Sequence, residues 1–364
     1  MTTITVGLEN RSYSIHVGNG ILKKSGKILA ELNLSKRAVV VSSEGILSLH
    51  GNQLLASLHK SGFSVDVLST PSGERYKTLS TLKKIYTQLA RLRADRKTLL
   101  VAFGGGVIGD ITGFAAASYL RGIPYVQIPT TLLAQIDSSI GGKTGVNLNA
   151  GKNLVGAFHQ PSVVIADPLL LLTLPRREFH SGLYEAIKYG VIRNASLFAL
   201  INSKHSRFPQ REKSSLERMI VECVSIKAEI VSQDEHETGL RMILNYGHTI
   251  GHALESSTRY ERLTHGEAIG HGMIMATKLA EQLGKITPEE SQRITQSVQD
   301  LSPLPSLNSL NWSQVLRHML ADKKIVEQRL RFILPLRVGQ VEIVRDVPKS
   351  AVEGVVRAYL KCCH

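Results

Sequence analysis

Cysteine and long apolar runs are scarce in this sequence. Only three of its 364 residues are cysteines: Cys223 and the adjacent pair Cys362 and Cys363. They form neither an even disulfide framework nor a C-x-x-C motif, so we expect a reducing compartment and a cytoplasmic protein. The N-terminus lacks the basic start and apolar run of a signal peptide, and its alternating polar and apolar residues predict the first strands of the fold.

No stretch of the sequence resembles a membrane-spanning helix. The most apolar region, from Thr98 to Leu120, contains Asp110 and five glycines. A charge at the centre of a bilayer costs about 2.5–3.5 kcal/mol. This region therefore predicts a buried strand, a loop and a helix, and we expect no membrane partner.

Aromatic residues are also few, at 5% of the chain, whereas basic residues are in excess. Lys and Arg number 44 against 30 Asp and Glu, a formal net charge of +14. This excess fits either a nucleic-acid surface or the attraction of small anions. Because the basic residues are scattered and the aromatics are too few for a stacking platform, we expect small anionic ligands and no nucleic-acid partner.

The organisation of the chain changes near residue 175. With 43% hydrophobic residues and a length near twice the usual domain size, two domains are expected. Short apolar strands alternate with helical patterns up to that point, and long helical periodicity follows it. We predict an α/β Rossmann-like domain with a parallel sheet over 1–175 and a mainly α-helical domain over 176–364. The clearest predicted strands are 38–43, 64–69, 98–103, 125–129 and 162–167, and the clearest predicted helices are 215–232, 248–257 and 266–283.

A glycine-rich motif follows one of these predicted strands. Gly104, Gly106 and Gly109 form G-x-G-x-x-G at the start of a predicted helix, the context of a dinucleotide-binding turn. The ribose-binding acid expected about 20 residues later is missing. The motif indicates phosphate or dinucleotide binding, with a tight strand–helix turn as the alternative.

Two further segments carry clustered polar residues. The glycine-rich stretch 136–161 contains Lys143 and Lys152, which suits a phosphate or polyol site, or else a solvated loop. Downstream, His248 and His252 are spaced i, i+4 on one predicted helix face. Such a pair makes a zinc site with an acid from elsewhere, or it is only structural. Candidate additional ligands are Glu185 and His265.

Eight motifs in order along the chain resemble the 3-dehydroquinate synthases of the shikimate pathway. The family implies an NAD-binding α/β domain, a helical metal domain and a homodimer. The matching motifs are SGERYKT at 72–78, GGGVIGD at 104–110, PTTLLAQIDSSIGGKTGVN at 129–147, GKNLVGAFHQP at 151–161, GLYEAIKYG at 182–190, ETGLRMILNYGHTIGHALE at 237–255, HGEAIGHGM at 265–273 and DKK at 322–324.

The resemblance assigns roles residue by residue. One divalent metal, Zn or Co, is expected on Glu185, His248 and His265, which makes His252 a nearby acid–base residue rather than a ligand. Catalytic roles are implied for His252, Lys152, Glu237 and Lys188. Cofactor contacts are implied for Glu74, Lys77, Gly105, Gly106, Asp110, Thr130, Thr131, Lys152, Thr173, Leu174 and Pro175. Substrate contacts are implied for Arg121, Asp137, Lys143, Asn153, Lys188, Lys227, Arg241, Asn245 and Lys324, with Lys323 as the alternative to Lys324.

The implied enzyme is a carbon–oxygen lyase that turns 3-deoxy-D-arabino-heptulosonate 7-phosphate into 3-dehydroquinate and phosphate. By resemblance, NAD oxidises the substrate transiently, phosphate is eliminated, the hydride returns, and the ring closes by aldol addition. Three other functions remain open: a related sugar-phosphate cyclase, a metal- and NAD-dependent polyol dehydrogenase, and an inactive anion or nucleic-acid binder. His180 and His271 depart from the family pattern, and we expect them to be core or interface residues.

Overall fold

The computed structural model describes residues 1–204, 212–308, 310–321 and 330–362. The chain divides into two compact units. The first unit comprises Met1–Pro175 and Arg211–Glu235, and the second comprises Arg176–Gln210 and His236–His364. The predicted boundary at residue 175 coincides with the end of one segment, but residues 211–235, which the sequence assigned to the second domain, lie in the first unit.

A seven-stranded sheet forms the centre of the first unit. Its strand order is β1-β2-β9-β6-β5-β3-β4, and every pairing is parallel except that between β1 and β2. The predicted parallel α/β sheet is thus confirmed, with one antiparallel edge strand. The strands are β1 (Thr2–Val6), β2 (Tyr13–Val17), β3 (Arg37–Ser42), β4 (Ser64–Ser69), β5 (Leu99–Gly104), β6 (Tyr125–Pro129) and β9 (Val163–Ala166).

Apolar clusters cover both faces of this sheet, as the nearly continuous apolar strands require. Alternate side chains of β3 belong to different clusters: Val40 packs in the cluster on one face, whereas Val39 and Val41 pack in the cluster on the other. The helices of the first unit are α1 (Ser25–Glu31), α2 (Glu44–Ile46), α3 (Asn52–Lys60), α4 (Leu79–Arg91), α5 (Gly106–Ser118) and α8 (Lys213–Gln233). Helix α8 packs against β1 and β2, which explains why its segment joins this unit.

The stretch 136–161 contains an antiparallel hairpin that the sequence did not predict. Its strands are β7 (Lys143–Leu148) and β8 (Gly151–Phe158). A Cβ added at Gly145 would lie 2.7 Å from the carbonyl oxygen of Val155, and one at Gly156 would lie 2.1 Å from that of Thr144. The glycines therefore allow close approach of the two strands.

The second unit is mainly helical, as predicted. Its helices are α6 (Arg176–Arg193), α7 (Ala195–Lys204), α9 (His248–Ser257), α10 (His265–Gln282), α11 (Pro288–Leu301), α12 (Trp312–Ala321) and α13 (Lys349–Cys362), with a two-stranded hairpin of β10 (Phe332–Arg337) and β11 (Gln340–Val344). Helix α10 begins with a capping box between Thr264 and Glu267. A Cβ at Gly272 would lie 2.0 Å from the carbonyl oxygen of Gly247, so glycine is required where α10 meets the start of α9. Within the described ranges, no helix is both long enough and apolar enough to cross a membrane.

Candidate active site

The glycine-rich motif forms the turn between β5 and α5, as predicted. Gly105 precedes α5, and Gly106 is its first residue. A Cβ on Gly105 would lie 3.0 Å from Cγ2 of Thr131, and one on Gly106 would lie 2.9 Å from Oγ of Ser138. The backbone N–H of Thr130 donates to the carbonyl oxygen of Gly104 over 3.0 Å. The turn therefore packs closely against the segment after β6, and the N-terminal end of α5 favours negative charge.

Several predicted cofactor and substrate residues meet around Lys77. Its ammonium forms an ion pair with Asp110 and donates to Oδ1 of Asn153 over 2.6 Å. The Lys77 side chain is only 5% exposed, so this charge is held in place. Burial raises the pKa of Asp110, and the neighbouring Lys77 charge opposes that shift.

Glu74 lies in the same group of residues. Its Oε1 atom lies 3.8 Å from Nζ of Lys152 and accepts a hydrogen bond of 2.8 Å from Nδ2 of Asn147. Glu74, which the family resemblance predicts to be a cofactor contact, begins the turn Glu74–Tyr76, which precedes α4. An acid there can accept from ribose hydroxyls.

Asp137 and Lys227 form a second predicted pair in the first unit. The Lys227 ammonium donates to Oδ1 of Asp137 over 2.6 Å and to its carbonyl oxygen over 2.7 Å. Lys227 is 5% exposed and lies on α8. Two residues 90 positions apart are therefore joined because α8 belongs to this unit.

Further predicted residues of the first unit lie in two turns and at the start of β7. Thr173 ends the short helical turn Pro168–Thr173, directly before Leu174 and Pro175, and its hydroxyl lies 2.8 Å from Nε2 of His50. Arg121 is exposed in the turn after α5 with a φ of 66°. Lys143 is exposed at the start of β7.

Glu185, His248 and His265 come together in the second unit. Glu185 lies in α6 and is fully buried, while His248 and His265 are the first residues of α9 and α10. The Nε2 atom of each imidazole lies 3.6 Å from Oε1 of Glu185. Tetrahedral zinc with metal–ligand bonds of about 2.0–2.2 Å places its ligand atoms about 3.4 Å apart. The three side chains therefore fit one divalent cation.

Hydrogen bonds orient both imidazoles. Nδ1 of His248 lies 3.1 Å from the carbonyl oxygen of Tyr246, and Nδ1 of His265 lies 3.3 Å from Oε2 of Glu255. These partners leave both Nε2 atoms directed at Glu185, the usual arrangement around a metal ligand. Burial alone lowers the pKa of His265, but the Glu255 and Glu185 carboxylates outweigh it and raise that pKa to about 10. The site thus favours a positive charge, which a proton or a cation can carry.

His252 belongs to a second group of three ligand-type residues with Glu255 and His265, and the ligand atoms within each group lie within 4.8 Å. Its ring centroid lies 5.3 Å from that of His248 and 6.0 Å from that of His265. His265 uses Nε2 toward Glu185 and Nδ1 toward Glu255. His252 therefore lies beside the Glu185 group, where the family pattern expects an acid–base residue.

The remaining predicted residues of the second unit are polar groups with little or partial exposure. Lys188 is 1% exposed and forms an ion pair with Glu185, three residues earlier on α6. Arg241 is 2% exposed. Asn245 donates to Oε1 of Glu237. Lys324 and its alternative Lys323 lie outside the described residues.

Two polar residues that contact predicted site residues were given no role of their own by the sequence, although Asn147 lies in the polar stretch 136–161. Asn147 bonds to Glu74, and Glu255 accepts from His265. Glu255 could have been suspected, because it lies three residues after His252 in the same helix. Nothing local to Asn147 identifies its partner, which lies 73 residues earlier.

The two departures from the family pattern are His271 and His180. His271 is 1% exposed, with Nδ1 2.9 Å from the Tyr359 hydroxyl and Nε2 3.0 Å from the carbonyl oxygen of Pro305. The expected core role fits this burial. His180 packs edge-on near Phe179, with ring centroids 6.4 Å apart.

Family models match most of the chain. The model described as 3-dehydroquinate synthase N-terminal matches residues 67–181, and that described as 3-dehydroquinate synthase C-terminal matches residues 182–325. The chain belongs to the 3-dehydroquinate synthase family. The 3-dehydroquinate synthase of Microcystis aeruginosa (strain NIES-843 / IAM M-2473) is 45% identical over 97% of each chain. That of Synechococcus sp. (strain ATCC 27144 / PCC 6301 / SAUG 1402/1) is 46% identical over 98% of each.

Solved structures of sugar-phosphate cyclases share the fold. A 2-deoxy-scyllo-inosose synthase complexed with carbaglucose-6-phosphate, NAD+ and Co2+ matches with a TM-score of 0.89 and 29% identity, over 98% of this chain and all of that one. A 2-epi-5-epi-valiolone synthase from Streptomyces hygroscopicus subsp. jinggangensis 5008, with NAD+ and Zn2+ bound, matches with a TM-score of 0.89 and 30% identity, over 98% of each chain. An iron-containing alcohol dehydrogenase at 16% identity and a TM-score of 0.69 shares the fold alone.

Proposed function

We propose that this chain catalyses the 3-dehydroquinate synthase reaction of aromatic amino acid biosynthesis. In that reaction, 3-deoxy-D-arabino-heptulosonate 7-phosphate gives 3-dehydroquinate and phosphate. The observation that carries the proposal is the grouping of Glu185, His248 and His265 in a chain that matches 3-dehydroquinate synthases over nearly its full length. We include NAD and one divalent cation, Zn or Co, as its cofactors, because two structural relatives bind NAD+ with Co2+ or Zn2+.

The cofactors would perform the redox and activating chemistry: NAD takes up and returns a hydride, and a divalent cation lowers the pKa of a bound hydroxyl. The protein's own groups hold these partners. Glu185 and the Nε2 atoms of His248 and His265 are the cation ligands in this proposal. Glu74 would accept hydrogen bonds from the ribose of NAD, and the backbone N–H groups at the N-terminal end of α5 would bind its pyrophosphate.

The substrate carries a carboxylate and a phosphate, which require basic partners. The basic groups proposed to bind these anionic ends are Arg121, Lys143, Lys188, Lys227, Arg241 and Lys324. Ion pairs already hold two of them, because Lys188 meets Glu185 and Lys227 meets Asp137. Fixed donors of this kind orient a flexible anion without reorganisation during the reaction.

Proton transfers are assigned to His252 and Glu237. Oxidation of one carbinol to a ketone acidifies the neighbouring C–H. Loss of that proton forms a carbon–carbon double bond as the carbon–oxygen bond to phosphate breaks and phosphate leaves with the electron pair. Hydride return would restore the carbinol. Cleavage of the ring carbon–oxygen bond of the hemiketal would then give a ketone and an enolate, and addition of the enolate carbon to that ketone carbon, followed by protonation of its oxygen, would close the carbocycle. Oxidation and reduction cancel, so no net oxidant is consumed.

We further propose that the enzyme acts as a homodimer in the cytoplasm, without a nucleic-acid or membrane partner. The family resemblance supports the dimer, and the low cysteine content supports the compartment. Sedimentation of the purified chain at micromolar concentration tests the dimer, which should appear at twice the mass of the monomer.

The decisive experiment measures phosphate release per NAD. Enzyme depleted of nucleotide receives substoichiometric NAD and the heptulosonate phosphate, while phosphate and absorbance at the NADH band are followed together. Many phosphates per NAD, with no accumulated NADH and 3-dehydroquinate identified by NMR, support the proposal. One NADH per turnover would instead indicate a dehydrogenase.

Two parallel reactions separate the related cyclases. Glucose 6-phosphate and sedoheptulose 7-phosphate are phosphorylated sugars without a carboxylate, and each replaces the heptulosonate phosphate under identical conditions. The proposed function requires a strong preference for the carboxylate-bearing substrate. A carbocyclic product formed faster from either of the other sugars contradicts it.

A further inference from the structure

The β7–β8 hairpin is irregular at the position where it carries predicted site residues. Val146 pairs with Val155, and Leu148 pairs with Gly151. Between these pairs, β7 has one residue, Asn147, whereas β8 has three, from 152 to 154. The extra residues bulge out of the ladder, a feature that re-aims side chains beside functional sites. Lys152 and Asn153 are therefore displayed by a bulge.

The bulge interrupts the strand-to-strand hydrogen bonds, and the Asn147 side chain replaces one of them. The backbone N–H of Asn153 donates to Oδ1 of Asn147 over 2.9 Å. Asn153 has a φ of 53°, which is unfavourable for a residue other than glycine and must be held by its surroundings. The Asn147 amide thus supports the strained residue of the bulge.

The other end of the same amide reaches Glu74. Nδ2 of Asn147 donates to Oε1 of Glu74 over 2.8 Å, and the backbone N–H of Asn147 donates to the carbonyl oxygen of Lys77 over 2.8 Å. A backbone N–H can only donate and an ionised carboxylate can only accept. One planar group must therefore accept on one side and donate on the other, which an asparagine amide does.

We infer that Asn147 is a positioning residue for this active site. Its amide fixes Glu74 for the cofactor and the Asn153 backbone for the substrate, and it acts through these two residues. Lys77 completes the link, since its ammonium donates to Oδ1 of Asn153 while its carbonyl oxygen accepts from Asn147. This inference rests on the proposed function, because it takes Glu74 as a cofactor residue and Asn153 as a substrate residue.

Two variants distinguish the contributions of the hydrogen bonds made by the two ends of the Asn147 amide. Asn147→Ala removes both bonds, and we expect the Kd for NAD to rise about 10- to 100-fold and the KM for the heptulosonate phosphate to rise about 2- to 10-fold. Asn147→Asp keeps the acceptor for the Asn153 N–H but places a carboxylate against Glu74. Asn147→Asp should weaken NAD binding at least as much as Asn147→Ala does, while leaving the substrate KM near that of the wild type.

The matched control is Asn149→Ala in the same hairpin, because Asn149 is exposed in the turn. NAD binding is measured by calorimetry, together with thermal midpoints and metal content. The inference requires normal NAD binding in the Asn149 variant, and thermal midpoints and metal content near the wild type in all variants. Asn147→Ala with wild-type NAD affinity overturns it, and so does an equal loss in Asn149→Ala. Failure of the wild-type protein to bind NAD contradicts the proposed function instead.

Hydrogen–deuterium exchange gives a readout that depends on no ligand. Peptides covering residues 149–158 should exchange faster in Asn147→Ala than in the wild type, because the Asn153 N–H loses its acceptor. In Asn147→Asp, exchange of this peptide should remain close to the wild type. Unchanged exchange in Asn147→Ala refutes the support of the bulge by Asn147 whatever the protein binds.

Discussion

The two groups of site residues are built from different kinds of structure. In the second unit, Glu185 is fully buried within an 18-residue helix, and His248 and His265 each begin a helix. In the first unit, Glu74 lies in a short turn, and Lys152 and Asn153 lie in a strand bulge. The helical group is held by apolar packing, whereas the turn and bulge are held by side-chain hydrogen bonds. A single substitution should therefore leave the rest of the helical group in place. In the turn and bulge, the loss of one hydrogen bond should displace neighbouring site residues as well.

The largest effect is expected from the helical group. Glu185→Gln and His248→Ala should each abolish metal retention and lower activity at least about 1000-fold, because a ligand is lost from the site. Both variants should stay folded, since the helices are packed by apolar residues. Glu185→Gln alone should also lower the thermal midpoint, because Lys188 then lacks its buried carboxylate partner.

Elemental analysis and circular dichroism of the purified variants check this expectation. Full metal occupancy in both variants would refute the ligand assignment. Equal thermal midpoints for the two variants would refute the account of Lys188.

A smaller effect is expected at Lys152. Lys152→Ala should lower kcat/KM about 100-fold while changing the free energy of unfolding by less than about 1 kcal/mol, because an incompletely buried lysine contributes little to the core. The matched control is Lys84→Ala, an exposed lysine of α4. Steady-state kinetics and urea unfolding decide the outcome, and a stability loss that parallels the activity loss would contradict it.

Glu255 offers a milder change in the helical group. Glu255→Gln removes the negative charge beside Nδ1 of His265 and should weaken metal affinity about 10- to 100-fold without abolishing it. Competition with a coloured chelator measures that affinity, with exposed Glu261→Gln as the control. Unchanged affinity in Glu255→Gln would exclude its role in orienting His265, and a second cation per wild-type chain would make Glu255 a ligand instead.

The smallest predicted effect concerns His271, which belongs to neither group of site residues. Burial lowers its pKa from 6.5 to about 4, so the folded protein holds this imidazole neutral. Its contribution to stability is complete above pH 6.5 and is lost as the pH falls toward 4. Between pH 7.5 and 5.0, the free energy of unfolding should fall by about 2 kcal/mol because of this group.

The loss of unfolding free energy between pH 7.5 and 5.0 should therefore be smaller in His271→Gln than in the wild type. His318→Gln serves as the control and should keep the wild-type difference. Urea unfolding at both pH values measures this loss of unfolding free energy for each protein. An identical pH dependence in His271→Gln and the wild type would show that the buried imidazole does not contribute.

The sequence predicted those parts of the fold that depend on local patterns. The run 64–69 is β4, 125–129 is β6, and 248–257 is α9, because apolar periodicity determines each of them locally. The β7–β8 hairpin was not predicted, since its glycines resemble those of a loop when the opposing strand is unknown. The assignment of α8 to the second domain was also wrong. Its packing against β1 and β2 depends on residues distant in the sequence, which local patterns do not show.

The site shows the same division. The Glu185, His248 and His265 ligand set followed from motif order and the family resemblance, and the structure brings these residues together. Spacing alone favoured His248 and His252 as a pair of metal ligands, because the i, i+4 rule considers residues of one helix only. The bond between Asn147 and Glu74 has no local signal, since it joins a hairpin to a turn 73 residues earlier.

The interleaved course of the chain has a consequence for recombination between relatives. Residues 211–235 belong to the first unit although they follow part of the second. A hybrid gene with one crossover at residue 175 would combine Asp137 from one parent with Lys227 from the other, although the two are directly bonded. Inheritance of the first unit as a whole requires three crossovers, so evolution by simple exchange of halves is hindered in this architecture.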